Sequence, residues 1–206
     1  CSLNSFYLDF WEPLKEKILA HLKRYLVADD VEIHDPTEQW KMLSLQGAQA
    51  QAILAQLFAN AELPAQPNHH GMVQFDATPV CVVRADRAGH NGFDLIVQAS
   101  QLLAFAQRLS ELGAAWVGEQ AQNISRIEAG MPRYGVDFSE DNLLLEVGLD
   151  DAVSFSKGCY PGQEVIVRIR DRGHGRIVRK LVGLAIDGDA APSPGDKLQV
   201  DGKDVG

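Results

Sequence analysis

The chain has 206 residues, 46% of them hydrophobic and 23% charged, which suits one large or two small globular domains. Its apolar runs are too short for a membrane-spanning helix, and a net charge of −9 argues against general affinity for nucleic acid. Three distant cysteines (Cys1, Cys81, Cys159) form no CxxC and no zinc spacing with histidine, and so sparse a count points to a reducing, cytoplasmic setting.

Phe6, Leu8 and Phe10 alternate, which predicts a strand over residues 3–10. Glu12 to Val27 then reads as an amphipathic helix, with Leu14, Ile18, Leu22 and Tyr25 on one face and Pro13 in the first turn. Short strands are expected at Val31–Ile33 and Trp40–Leu45, separated by the turn Asp35-Pro36-Thr37. Gly47 opens a second helix to about Ala59, and a loop with Pro64, Pro67 and the pair His69-His70 follows. Strands recur at Val80–Arg84 and Phe93–Gln98, joined by the glycine-bearing loop Asp86–Gly92. Cys81 lies in the apolar run Pro79–Val83 and is expected in the core. A third helix runs from Ser100, a candidate N-cap, to Leu112 and stops at Gly113. Hairpin-joined strands between helices predict an α+β fold with mainly antiparallel sheets. No glycine-rich phosphate loop follows any strand, which argues against a nucleotide fold of the Rossmann or P-loop kind.

After a strand at Ala115–Val117, Glu119 to Ala129 reads as a helix stopped by Gly130, with Pro132 behind it. Glu128 falls in the last turn, where the helix dipole disfavours a carboxylate. Two readings stand: a solvated acid, or an acid retained to bind a polar ring edge. Lys157 to Glu164 (KGCYPGQE) is the stretch densest in reactive groups. Pro161 suits a helix start, so Cys159 beside Lys157 would favour thiolate; a half-buried cysteine in a tight turn is the alternative. From Lys157 to Lys180, seven basic residues face two acids, a local +5. Arg168, Arg170 and Arg172 belong to it, and it reads either as an anion site or as a solvated arginine face. Strands are expected at Arg179–Ile186 and Lys197–Val200, with Asp201-Gly202 as a hairpin turn whose return strand is missing.

Phe155 to Glu164, followed by Arg168, resembles the signature of the YgfZ folate-binding proteins, relatives of the glycine-cleavage T-protein (aminomethyltransferase). Arg126 to Pro132 resembles a second motif shared with the T-protein, and Arg172-Gly173-His174 a third match. The likeness covers most of the chain, although Leu144 stands where many members have proline. It implies a ring of α+β subdomains around a tetrahydrofolate site. The region 1–177 would be folate-binding, with about 30–114 inserted between 1–29 and 115–177, and 178–206 would open a C-terminal β-barrel.

The resemblance further implies tetrahydrofolate, or a one-carbon derivative, as cofactor. Glu128 would lie at the pterin; Arg168, Arg170, Arg172, Tyr160 and Gln163 would be further folate contacts. Cys159, with Lys157, would be a functional thiol. No metal site, membrane or direct nucleic-acid partner is expected. YgfZ proteins support iron–sulfur enzymes, including tRNA-modifying ones, so client or assembly proteins are expected partners. A folate-dependent aminomethyl or one-carbon transferase is the alternative.

Overall fold

The structure is a computed structural model that describes residues 5–59, 61–89, 91–172, 177–188, 192–193 and 195–206. The chain divides into two compact units, residues 1–40 and 41–206.

In the first unit a 3-10 turn, Glu12–Leu14, carries Pro13 and leads into α1 (Lys15–Tyr25). The helix is where the apolar period places it, but none of its residues is fully buried. Asp35 organises the turn after it: its Oδ1 accepts hydrogen bonds from the Thr37 amide (3.1 Å) and hydroxyl (2.5 Å). The Lys15 ammonium lies 2.5 Å from the other carboxylate oxygen. The strands expected at 3–10 and 31–33 do not form among the described residues. Phe6 and Leu8 are exposed and in irregular backbone. Alternation alone makes no strand, because the backbone N–H and C=O groups need a neighbouring strand to pair with.

The second unit is built on a four-stranded sheet in the order β1-β4-β3-β2, with β1 Trp40–Leu45, β2 His70–Phe75, β3 Thr78–Arg84 and β4 Phe93–Gln98. β2 pairs antiparallel with β3, His70 opposite Val83 and Phe75 opposite Thr78. β3 pairs antiparallel with β4, Cys81 opposite Ile96. The antiparallel α+β expectation holds, and this sheet contains one strand, β2, that the sequence did not predict. β2 begins at His70, a residue expected in a loop. Its turn to β3 is Asp76-Ala77, both at positive φ (47° and 63°). A two-residue turn of that kind normally announces itself by Asn-Gly or Asp-Gly; here the glycine is absent, and so is the signal.

Helices α2 (Ala50–Leu57) and α3 (Leu102–Glu111) cover one face of this sheet. Ala50, Ile53, Leu54 and Phe58 recur at helical spacing and are buried, as are Phe105 and Leu109 of α3. They meet the inward residues Leu45, Val73, Val80, Val82, Phe93, Leu95 and Val97, which alternate along their strands. The Phe105 ring is fully enclosed, edge-on to Phe75 at 4.9 Å, and such burial contributes about 1.5–3 kcal/mol. β4 is buried on both sides, and its outward Asp94 is 4% exposed. Ser44 Oγ donates to Asp94 (2.9 Å) and Arg87 grips it through Nε (2.9 Å to each oxygen) and Nη2 (2.7 Å). α3 begins after a 3-10 turn, Ala99–Gln101, with no side-chain cap from Ser100. Cys81 is only half-buried, and burial pushes its thiol pKa up.

Beyond the sheet, α4 (Glu119–Glu128), α5 (Leu144–Val147) and α6 (Gln163–Val167) are joined by long loops. The strand expected at 115–117 is absent and Trp116 is exposed. Residues 179–186 are likewise irregular, with no strand paired to them among the described residues. Instead the Leu181 amide donates to the Glu146 carbonyl at 2.8 Å. The hairpin at Asp201-Gly202 does have its return strand: β5 (Gln199–Val200) pairs antiparallel with β6 (Lys203–Asp204). That two-stranded piece corrects the half-hairpin expectation, and the described residues show no barrel.

Candidate functional site

Glu128 is the last residue of α4 and is exposed. The helix ends at Ala129 and Gly130, whose amides donate to Ser125 (3.0 Å) and Ile127 (2.9 Å), and the Met131 amide donates to the Arg126 carbonyl (2.8 Å). Two features hold this end in place. On one side lies the β3–β4 loop. A Cβ added at Gly89 would come within 2.5 Å of the Ala129 Cβ, so only glycine allows that approach. Asp86 shapes the same loop by accepting from the Ala88 (3.1 Å) and Gly89 (2.6 Å) amides.

On the other side is Arg126, 8% exposed inside a helix that is otherwise open to solvent. Its Nε donates to Asn123 Oδ1 at 2.8 Å, and its Nη1 donates to the Met131 carbonyl (3.1 Å) and to Asp137 Oδ2. The same Asp137 oxygen accepts the Arg133 amide at 2.7 Å. The Arg126 Nη2 is buried without a partner.

The Lys157–Glu164 stretch is an exposed loop running into α6. Gly162, at φ 86°, is the N-cap, and the Gln163 side chain accepts the Tyr160 amide at 3.1 Å. The Lys157 ammonium lies 4.8 Å from the Tyr160 ring centroid, a cation–π contact. The Tyr160 hydroxyl is buried and unpartnered. Cys159 is exposed and free, three residues ahead of the N-cap. Lys157, Tyr160 and Gln163 are thus brought together.

The basic segment divides. Past α6 the backbone widens into a π-helical turn, Arg168–Arg172. Arg168 lines a shallow open depression with Gln163, Glu164, Val167 and Asp171. Arg170 stacks on Phe155 (4.3 Å) and pairs with Asp171, holding that carboxyl below its usual range. Arg179 reaches the buried Glu146, with Nη2 3.3 Å from Oε2. Gly173, His174 and Arg176 lie outside the described residues, as do Cys1 and the Arg172 side chain.

Sequence reasoning missed Arg126, Asp137, Asp94, Arg87 and the Glu146–Arg179 pair. Only Arg126 had a local signal: a cation between Ile124 and Ile127 in a motif already singled out.

The body is of the α+β class, an antiparallel sheet covered by helices on one face, with an exposed acid at the end of α4. Residues 2–157 match the GCVT N-terminal domain, and the chain belongs to that family. It is 34% identical over 93% of its length to an aminomethyltransferase of Rubrobacter xylanophilus, covering 51% of that protein. It is 33% identical over 98% of its length to a chloroplastic protein of Arabidopsis thaliana whose name says transferase without a substrate, covering 46% of it. It thus spans about half the length of the curated relatives it matches. Among solved structures, the glycine cleavage system aminomethyltransferase T of Bartonella henselae superposes with a TM-score of 0.56 at 27% identity. The match covers 69% of this chain and 38% of that one. Among the described residues no helix is long and apolar enough to cross a membrane.

Proposed function

We propose that this chain is part of a tetrahydrofolate-binding one-carbon transferase of the aminomethyltransferase kind. The family match over residues 2–157 carries the reading, and the names of the relatives favour it over an iron–sulfur role. The residues present fit a folate. A pterin edge presents N–H donors, and the exposed Glu128 carboxylate is an acceptor for them. The anionic glutamate tail calls for cations, and Arg168 is exposed beside Gln163. The buried Tyr160 hydroxyl has a hydrogen bond still to make.

When bound, tetrahydrofolate would supply the amine that accepts the one-carbon unit. The chain's own part is to bind and orient it: Glu128 at the pterin, Tyr160, Gln163 and Arg168 as further contacts. Arg170 takes a lesser part, since Asp171 already neutralises it. Arg172 is retained from the sequence motif. The ring of subdomains, the 30–114 insertion and the barrel opening at 178–206 belong to the same proposal.

Losing one charged hydrogen bond costs about 1.5–3 kcal/mol, so Glu128→Ala is expected to weaken tetrahydrofolate binding about tenfold or more. Calorimetry on the purified protein tests this, and an unchanged affinity refutes the assignment. A second reading, the YgfZ-like one with iron–sulfur clients, rests on the exposed Cys159 in its KGCYPGQE loop. Turnover of 5,10-methylene-tetrahydrofolate that survives Cys159→Ser separates the transferase from that reading.

A further inference from the structure

We infer that Arg126 and Asp137 form a positioning brace for the end of α4 that carries Glu128. The inference rests on the folate reading of Glu128. Arg126 precedes Glu128 by two residues, so the two side chains leave the helix on different sides and do not share a ligand. Any influence of Arg126 on Glu128 therefore runs through the backbone.

The contacts show how. The guanidinium ties α4 to the loop that follows, through the Met131 carbonyl and Asp137, and Asn123 aims it from one turn back. Asp137 in turn holds the Arg133 amide, so one carboxylate closes the segment from Met131 to Asp137 onto the helix. The Met131 amide returns to the Arg126 carbonyl. The side chain and the backbone of one residue thus clamp the same turn, and Glu128 lies inside the clamp.

A buried ion pair is a poor way to gain stability, because desolvation offsets its attraction and apolar residues often serve as well. Here the cost is raised further by the unpartnered Nη2. What the planar, forked guanidinium supplies, and an apolar side chain does not, is direction: hydrogen bonds to fixed acceptors on both sides of the helix stop.

The test is hydrogen exchange and tetrahydrofolate titration of the chain with Asp137→Asn and with Arg126→Lys, each alone and combined with Glu128→Ala. Asp137 is about a quarter exposed, so Asp137→Asn keeps an acceptor for Arg133 and provides a folded variant if Arg126→Lys fails. The brace predicts that exchange of the Ala129, Gly130 and Met131 amides rises about tenfold while β3 and β4 keep their protection. It also predicts that affinity falls about tenfold, and that nothing more is lost when Glu128 is already alanine. Unchanged exchange at 129–131 overturns it. So does exchange that rises equally in the sheet, which makes the pair a general stabiliser, or local loosening with full folate affinity. A wild-type chain that binds no folate sinks the reading of Glu128, while the exchange arm alone still decides whether the pair holds the helix end.

Discussion

Gly89 offers the sharpest test of how the sheet supports the site. It has φ +77°, and an added Cβ would lie 2.5 Å from the Ala129 Cβ. Gly148 has the same φ of +77°, with nothing within 4 Å of its added Cβ. Alanine at either position pays for left-handed backbone, about 1–2 kcal/mol. Only alanine at 89 must also push apart two methyl groups, an overpacking cost of about 1–3 kcal/mol. Gly89→Ala is therefore expected to lose about 2–5 kcal/mol and Gly148→Ala about 1–2 kcal/mol. With a urea slope of about 2 kcal/mol/M, the unfolding midpoints should differ by about 0.5–1.5 M. Because the displaced partner is Ala129, Gly89→Ala should also weaken tetrahydrofolate binding, and Gly148→Ala should not. Equal midpoints for the two variants would refute the close packing of the hairpin loop on α4.

Asp94→Ala removes the buried acceptor of Ser44 and Arg87; Arg87 is 37% exposed and regains water, so the loss should be about 1–3 kcal/mol, read by thermal unfolding. Iodoacetamide at neutral pH should alkylate the exposed Cys159 well before Cys81, whose thiol burial holds it protonated; mass spectrometry of peptides reads the order. Asp35 is hydrogen-bonded to Lys15 and then to Thr37, which hold its carboxyl well below the usual range. Its folded pKa is depressed, so its contribution is complete above the unfolded value and fades only as pH falls through the folded one. A carboxyl-carbon titration by NMR should find Asp35 ionised where ordinary aspartates are protonated, and Lys15→Ala should move it back toward them.

Helices α1 to α4 were legible in the residues alone, whereas the single turn of α5 was not. A helix closes its hydrogen bonds within one segment, and its punctuation is local: Pro13 at the start of α1, Gly113 after α3, Gly130 after α4. The position of Glu128 followed from that, and so did the loop character of Lys157–Gly162. Strands were a different matter, because a strand exists only where a partner lies beside it. The alternating or apolar stretches at 5–10, 31–33, 115–117 and 179–186 have no strand beside them among the described residues and are irregular. β2, which does have one, lacked the glycine that would have marked its turn. The pairings within the polar braces were beyond the sequence. Arg87 meets Asp94 across 7 positions, Arg126 meets Asp137 across 11, and Arg179 meets Glu146 across 33. No periodicity links such residues. The folding of hairpin and loop brings them together, and burial then makes each pairing compulsory. The sequence by itself determined which groups the end of α4 could offer a ligand; only the tertiary structure decided what holds that end still.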